Sequence, residues 1–337
     1  MSDMVVAGCG IVCSVGLNAP AACAAIRCGL TNPVETRFMN SHGQWIMAAE
    51  VPLDTPWRGH AKLAHMAAMA VKEAVFGLSE EEIQATPLLL CLAEPDRPGR
   101  IADQDKLLLH EIQNICRLKF HSQSRVIANG RVSGIQTIEK AHPLLASGEF
   151  RHCVIVGVDT YLTAGTLEAY DVEKRILTEE NSNGFTPGEA GAAVLLTLAG
   201  TAPNASIAIK GFGFGKEKAH LQSGEPLKAD GMVQAVKNAL SMAGRDLSDL
   251  DYRICDISGE QYYFKEVSLT LTRILRNRKE EFDIWHPAEC IGETGSAIAL
   301  VVLALASAAV TKGYSKGDAI LCHFANDDGQ RAAIVVL

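Results

Sequence analysis

The chain has 337 residues, a net charge of −8, and 48% hydrophobic against 21% charged residues. That balance excludes a disordered chain and allows one large body or two of ordinary size, with enough core to need no staples. The acidic charge, without any lysine- and arginine-rich run, argues against nucleic-acid binding. The longest apolar run, residues 296–310, is 15 residues long, short of the roughly 20 that a membrane span requires. The opening residues show no basic stretch followed by an apolar one, so no secretory leader is expected. Ten cysteines (Cys9, Cys13, Cys23, Cys28, Cys91, Cys116, Cys153, Cys255, Cys290 and Cys322) lie mostly in apolar segments with no C-x-x-C pair. They read as reduced thiols of a cytoplasmic protein, not as a disulfide framework or a zinc site.

In chain order, strands are expected at 4–12, 87–93, 152–158 and 190–198, and helices at 19–28, 60–76, 104–117 and 133–146. Asn18 is a candidate cap for the first helix, and Ser79-Glu80-Glu81-Glu82 fits a capping box. A second series follows, with strands at 205–212, 252–257, 319–324 and 331–337 and helices at 231–242, 261–276 and 294–311. The last two strands are joined by an Asn-Asp-Asp-Gly turn. Loops are expected at 184–191 and 200–204. Alternating strands and helices predict an α/β fold with mostly buried sheets. The two series divide the chain into halves, 1–200 and 201–337, packed as one compact body.

Several segments, taken together and in order, resemble the beta-ketoacyl synthase branch of the thiolase superfamily. Val5-Val6-Ala7-Gly8-Cys9-Gly10-Ile11-Val12 with Gly16 looks like the family's first strand and turn. Gly134-Ile135-Gln136-Thr137-Ile138, then Gly148 and Val154 to Asp159, resembles its nucleophile helix and the next strand. The run Gly184-Phe185-Thr186-Pro187-Gly188-Glu189-Ala190-Gly191-Ala192 is very close to the family's Gly-Phe-x-x-Gly-Glu-Gly-Ala motif. Asp230-Gly231, the segment 252–259 and the end of the chain follow the family's second half. The resemblance implies an αβαβα five-layer sandwich of two pseudo-symmetric halves and a homodimer.

The family's condensation uses a cysteine at a helix start, two histidines and a lysine. Each of these positions is changed here. Arg131 stands at the cysteine, in Gly130-Arg131-Val132-Ser133-Gly134. Ser258 replaces the first histidine, Glu293 the second, and Ala288 the lysine. A guanidinium stays protonated and is no nucleophile, and a buried one requires a carboxylate. Arg131 is therefore expected to pair with Glu293, or failing that with Glu260, filling the site; the competing reading of Arg131 is a solvated loop residue. Ser133 and Cys290 are fallback nucleophiles, set against a helix-start role for the serine and a packing role for the cysteine. Glu189 is expected to hold loops beneath the site. Phe324 resembles the family's gating aromatic, against a plain core role. His286 is a stray base or a solvated residue. Tyr262 and Tyr263 would tend to close the tunnel that the family uses for a pantetheine arm.

These changes favour a catalytically inactive protein that acts by protein binding, with no cofactor and no metal. Its partner is then a bacterial type VI secretion effector, for which the chain serves as adaptor or chaperone and which the trimmed chain and the loss of the whole catalytic set favour, or an active synthase or its acyl carrier. Two readings compete: an acyltransferase or 3-oxoacyl synthase-like enzyme with altered catalytic residues, and a protein that keeps a pocket for an acyl ligand.

Overall fold

A computed structural model describes residues 3–202 and 205–337. Pro203 and Asn204, in the loop expected at 200–204, lie outside the described residues, as do Met1 and Ser2.

The first half runs β1 (Met4–Cys13), α1 (Ala19–Arg27), β2 (Val34–Met39), β3 (Trp45–Ala48), α2 (Gly59–Ala74), α3 (Glu80–Gln84), β4 (Leu88–Leu92), α4 (Gln104–Cys116), β5 (Arg125–Ala128), α5 (Ser133–Ala146), β6 (His152–Thr160), α6 (Ala164–Val172) and β7 (Glu189–Leu198). The second runs β8 (Ala208–Lys216), α7 (Asp230–Ala243), β9 (Tyr252–Cys255), α8 (Gln261–Ile274), β10 (Ile284–Trp285), α9 (Ala288–Ile291), α10 (Ile298–Thr311), β11 (Ile320–Ala325) and β12 (Gln330–Val336). Short 3-10 turns, Gly130–Val132 and Gly295–Ala297, lead into α5 and α10. The caps read from the sequence are present: Asn18 accepts from the Ala21 amide at 2.9 Å, and Ser79 and Glu82 form a capping box.

The strands form two five-stranded half-sheets, β5-β4-β6-β7-β1 and β8-β12-β11-β9-β10. Numbered within its own half, each reads 3-2-4-5-1. The pairings also match: parallel for β5-β4-β6 and β10-β9-β11, antiparallel for β6-β7-β1 and β11-β12-β8. The half-sheets meet along a short seam where Met4 pairs with Ile209 and Val5 with Ala208. Beside the seam, the Ala199 amide reaches the Asp3 carbonyl at 3.0 Å, and the Leu337 amide reaches the Ala208 carbonyl at 2.9 Å.

The layers follow from which faces are apolar. α5 and α10 lie between the half-sheets, and α10 is apolar all round because it is buried all round. The two helices cross where a Cβ on Gly134 would lie 2.6 Å from that of Ala299. α2 and α4 cover the outer face of the first half-sheet, α7 and α8 that of the second. The result is the five-layer αβαβα sandwich.

Some elements differ from the sequence reading. β8 occupies 208–216, not 205–212. Its alternating Gly211, Gly213 and Gly215 let α7 sit directly on the strand: a Cβ at each would lie 2.3, 2.3 and 2.0 Å from the carbonyls of Ala239, Ala235 and Gly231. The hairpin β2-β3, the edge strand β5 and helix α6 were not expected. Each is short or half-exposed and carries little periodic signal.

Candidate functional site

Three segments build a charged cluster between the halves. The turn before α5 carries Arg131. The loop after β9 carries Ser258 and Glu260 and leads into α8 with Tyr263. The loop after α9 carries Glu293. The Gly184–Leu195 run fixes the last of these: the Glu293 amide donates to the Thr186 carbonyl at 2.8 Å, and the Gly188 amide to the Glu293 carbonyl at 3.0 Å. Gly292, at φ +69°, permits that approach, since a Cβ there would lie 2.7 Å from the Thr186 carbonyl. The turn carrying Arg131 is fixed by Asn326, which accepts from the Val132 amide at 3.2 Å and donates to the Asn129 carbonyl at 2.8 Å.

Arg131 is 3% exposed and points inward. Its Nη1 donates to Glu293 Oε2 at 3.1 Å, and its Nη2 to Tyr263 Oη at 3.0 Å and to Asp327 Oδ1. Ser258 donates to the same Glu293 oxygen at 3.0 Å, and the Gly295 amide donates to the other at 3.0 Å. The Tyr263 hydroxyl also donates to Asp327. Glu260 takes a different cation. Arg175 grips it in a fork, Nε and Nη2 each at 2.8 Å, and donates through Nη1 to Asp327 Oδ2 at 2.7 Å. Asp327 thus lies between two guanidinium groups. Burial works against its charge, but Arg131 and Arg175 outweigh it and hold the carboxyl well below the ordinary carboxylate range. Burial opposes the charge of Arg131 too, and is outweighed by Tyr263, Glu293 and Asp327, so the guanidinium is held protonated. Asp256, buried nearby, is pushed up to about 7 by desolvation, against the pull of Arg131 and the Ala325 amide.

The remaining sequence candidates fall as follows. Ala288 starts α9 and is buried. Ser133 donates to the Gly130 carbonyl at 2.5 Å, closing its own turn, and no histidine is among its partners. Cys290 faces α1, with its sulfur 3.9 Å from the Ile26 carbonyl, and burial followed by Glu289 raises its thiol pKa, the reverse of nucleophile activation. Glu189 accepts from the Val51 amide at 2.9 Å and the Thr160 hydroxyl at 2.8 Å and pairs with Lys62, joining the segment after β3, the end of β6 and α2 to the start of β7. Phe324 lies fully buried in the central core on β11. His286 pairs with Glu289 at 3.0 Å. Of the two tyrosines, Tyr263 fills the site while Tyr262 turns away, donating to the Ala219 carbonyl at 2.7 Å and accepting from Arg331 at 3.2 Å.

Sequence reasoning did not find Arg175 or Asp327. Arg175 follows α6 with no motif around it. Asp327 read as part of a turn; an acidic pair directly after a buried strand was the available signal. Taken together, Arg131, Arg175, Glu260, Glu293, Asp327, Ser258 and Tyr263 form a hydrogen-bonded ion-pair network with Asp256 buried beside it.

Comparison with known proteins places the fold. No family model matches the chain, and no curated protein matches it. Solved structures do match over nearly its whole length. The ishigamide ketosynthase/chain length factor is 15% identical, with 99% of this chain and 98% of that one covered at a TM-score of 0.81. The ketosynthase from module 6 of the bacillaene synthase of Bacillus subtilis 168 is 13% identical, with 99% and 72% covered at 0.79. The ketosynthase ApeO in complex with its chain length factor ApeC, from Xenorhabdus doucetiae, is 12% identical, with 99% and 98% covered at 0.72. The chain has the thiolase-like fold of beta-ketoacyl synthases.

Proposed function

We propose that this chain is a non-condensing ketosynthase-fold protein that works by binding another protein. The observation that carries the reading is the Arg131–Glu293 pair: where the family's nucleophile and second histidine would meet, the chain holds a buried guanidinium on a carboxylate at 3.1 Å. A residue fixed in that way attacks no thioester, and Glu293, accepting from Arg131, Ser258 and the Gly295 amide, is not placed to take a proton from substrate. Tyr263 and Asp327 occupy the remaining space at the cluster.

The partner that best suits the reading is a second ketosynthase-fold chain with an intact cysteine. The structural neighbours include a ketosynthase in complex with its chain length factor. β5 also presents an edge without a strand partner among the described residues, and such an edge suits pairing with a related chain. A cytoplasmic setting suits the ten free thiols.

The test is purification of the tagged full chain from its native cells, with mass spectrometry of the complex and of the chain itself. The expected result is a stoichiometric ketosynthase-fold partner with the Cys-His-His set, and no acyl group on Ser133 or Cys290. A stoichiometric secretion effector in its place would replace the synthase-subunit reading with the adaptor one. A covalent acyl adduct on this chain would overturn the non-condensing reading altogether.

A further inference from the structure

Away from the Arg131 cluster, the outer face of the second half-sheet holds a buried cation with no carboxylate against it. Arg253 lies on β9 and His323 on the neighbouring β11. The register pairs Arg253 with Leu321 and Cys255 with His323, so all four side chains share the face beneath α7 and α8. The layer around them is mainly apolar, with the buried Arg331–Glu266 pair and Thr270 also in it. Arg253 is 8% exposed and His323 3%. Arg253 Nε and His323 Nδ1 are both buried without a hydrogen-bond partner.

The surroundings provide no counter-charge. Among the described residues no Asp or Glu lies within ion-pair distance of Arg253. The Asp283 carboxylate pairs with Lys316, and Glu266 is held by Arg331. Arg253 gives one bond, from Nη2 to the Phe282 carbonyl at 3.3 Å. Both Arg253 and Lys279 stand over the Phe282 ring, each 4.8 Å from its centroid. The Thr270 hydroxyl is committed to the Glu266 carbonyl at 2.8 Å. A cavity of about 10 Å³ lies beside the pair, lined by Arg253, His323, Thr270 and apolar residues of α7, α8, β11 and the turn at Leu247. It has room for one atom-sized occupant.

We propose that this cavity is a site for a small monovalent inorganic anion of the halide class. The anion accepts from Arg253 Nε–H and from His323, whose neutral ring can carry its proton on Nδ1. Apolar walls and the small volume select a weakly hydrated single ion over phosphate or a carboxylate ligand. A buried guanidinium demands a partner of opposite charge, and the described residues supply none. Burial, and then Arg253, holds His323 far toward its neutral form, which is the state a cation-lined pocket without an anion imposes.

Two measurements on the full chain test the site. Crystals soaked in sodium bromide are expected to show an anomalous peak between Arg253 and His323. The thermal unfolding temperature at constant ionic strength is expected to rise as gluconate is exchanged for chloride, following the logarithm of one plus chloride over its dissociation constant, with the folded-to-unfolded ratio up about elevenfold at ten times that constant. Arg253→Leu, which suits the apolar layer, is expected to lose both signals. If that variant does not fold, the bromide map of the unaltered chain decides. No peak, or a peak without chloride-dependent stabilisation below about 0.1 M, means water or an adventitious ion only, and overturns the proposal.

Discussion

Two turns lead into the two central helices, Gly130–Val132 before α5 and Gly295–Ala297 before α10. Each is three residues long, opens on a glycine at positive φ (+59° and +52°), and is followed by a helix of 14 residues. A Cβ on either glycine would strike a carboxylate, that of Glu94 at 1.9 Å or of Asp159 at 2.0 Å. Arg131 and Ser296 occupy the same middle position. Ser296 is satisfied by backbone alone, its hydroxyl 3.1 Å from the Cys91 carbonyl and 3.0 Å from that of Val158. Arg131 instead needs side chains from three distant segments. One backbone frame thus supports a quiet structural position on one side and a charged plug on the other. What differs is the side chain it presents.

Making the turns alike is the strongest way to break that comparison. Arg131→Ser would leave Glu293 without its cation and Asp327 with only Arg175. Loss of one partner from a buried pair costs about 3–5 kcal/mol, to be read from urea unfolding. Double replacement of Arg131 and Glu293 by methionine is expected to recover most of that loss.

The charged side should also carry its own pH dependence. Asp256 has its carboxyl raised from the ordinary 3.8 to about 7 by burial. The folded state therefore holds a proton that the unfolded chain releases. Its contribution is complete below about pH 4 and is lost as pH rises through about 7, about 4 kcal/mol in all. His323 runs the other way: burial lowers its pKa from 6.5 to about 3, so its contribution fades as pH falls below 6.5. The difference between the unaltered chain and Asp256→Asn, followed by unfolding from pH 4 to 8, isolates Asp256. A flat difference curve would sink the assignment.

Next come the glycines. Gly295→Ala is expected to cost about 3 kcal/mol and Gly130→Ala about 1–2. The asymmetry comes from the obstacle. Asp159 is fixed by Arg97 at 2.8 Å and by the Ser296 and Thr160 amides at 2.9 Å each, whereas Glu94, held by Arg97 but partly exposed, can swing aside. Equal losses would show that backbone strain alone decides. The smallest effect is Ser296→Ala, about 1 kcal/mol for one buried hydroxyl, in the same urea assay.

Much of this was legible in the sequence, and the rest was not, for physical reasons. The Gly184–Leu195 run marks backbone positions where side chains do not fit, and such constraints show in composition. Arg131 and Glu293 stood out because reactive residue types were missing from a familiar frame. Arg175 carries no local signal and Asp327 only that of an acidic pair in a turn: the one lies 85 residues from Glu260 and the other 196 from Arg131, and only folding brings them together. The strand expected to end at 212 runs on to 216, because Gly213 and Gly215, which weaken a strand signal in sequence, are where α7 packs on its backbone.

The seam between the half-sheets has a consequence for how the chain can be reordered. Ile209 pairs with Met4 on one side and Val336 on the other, so both ends of the described chain lie within about two strand spacings, roughly 10 Å, of each other. The crossing from one half to the other, after β7 and before β8, runs past the same place. A circularly permuted chain, joined from 337 to 3 by a short glycine-rich linker and opened between 199 and 205, would keep every strand pairing and exchange only the order in which the halves are synthesised.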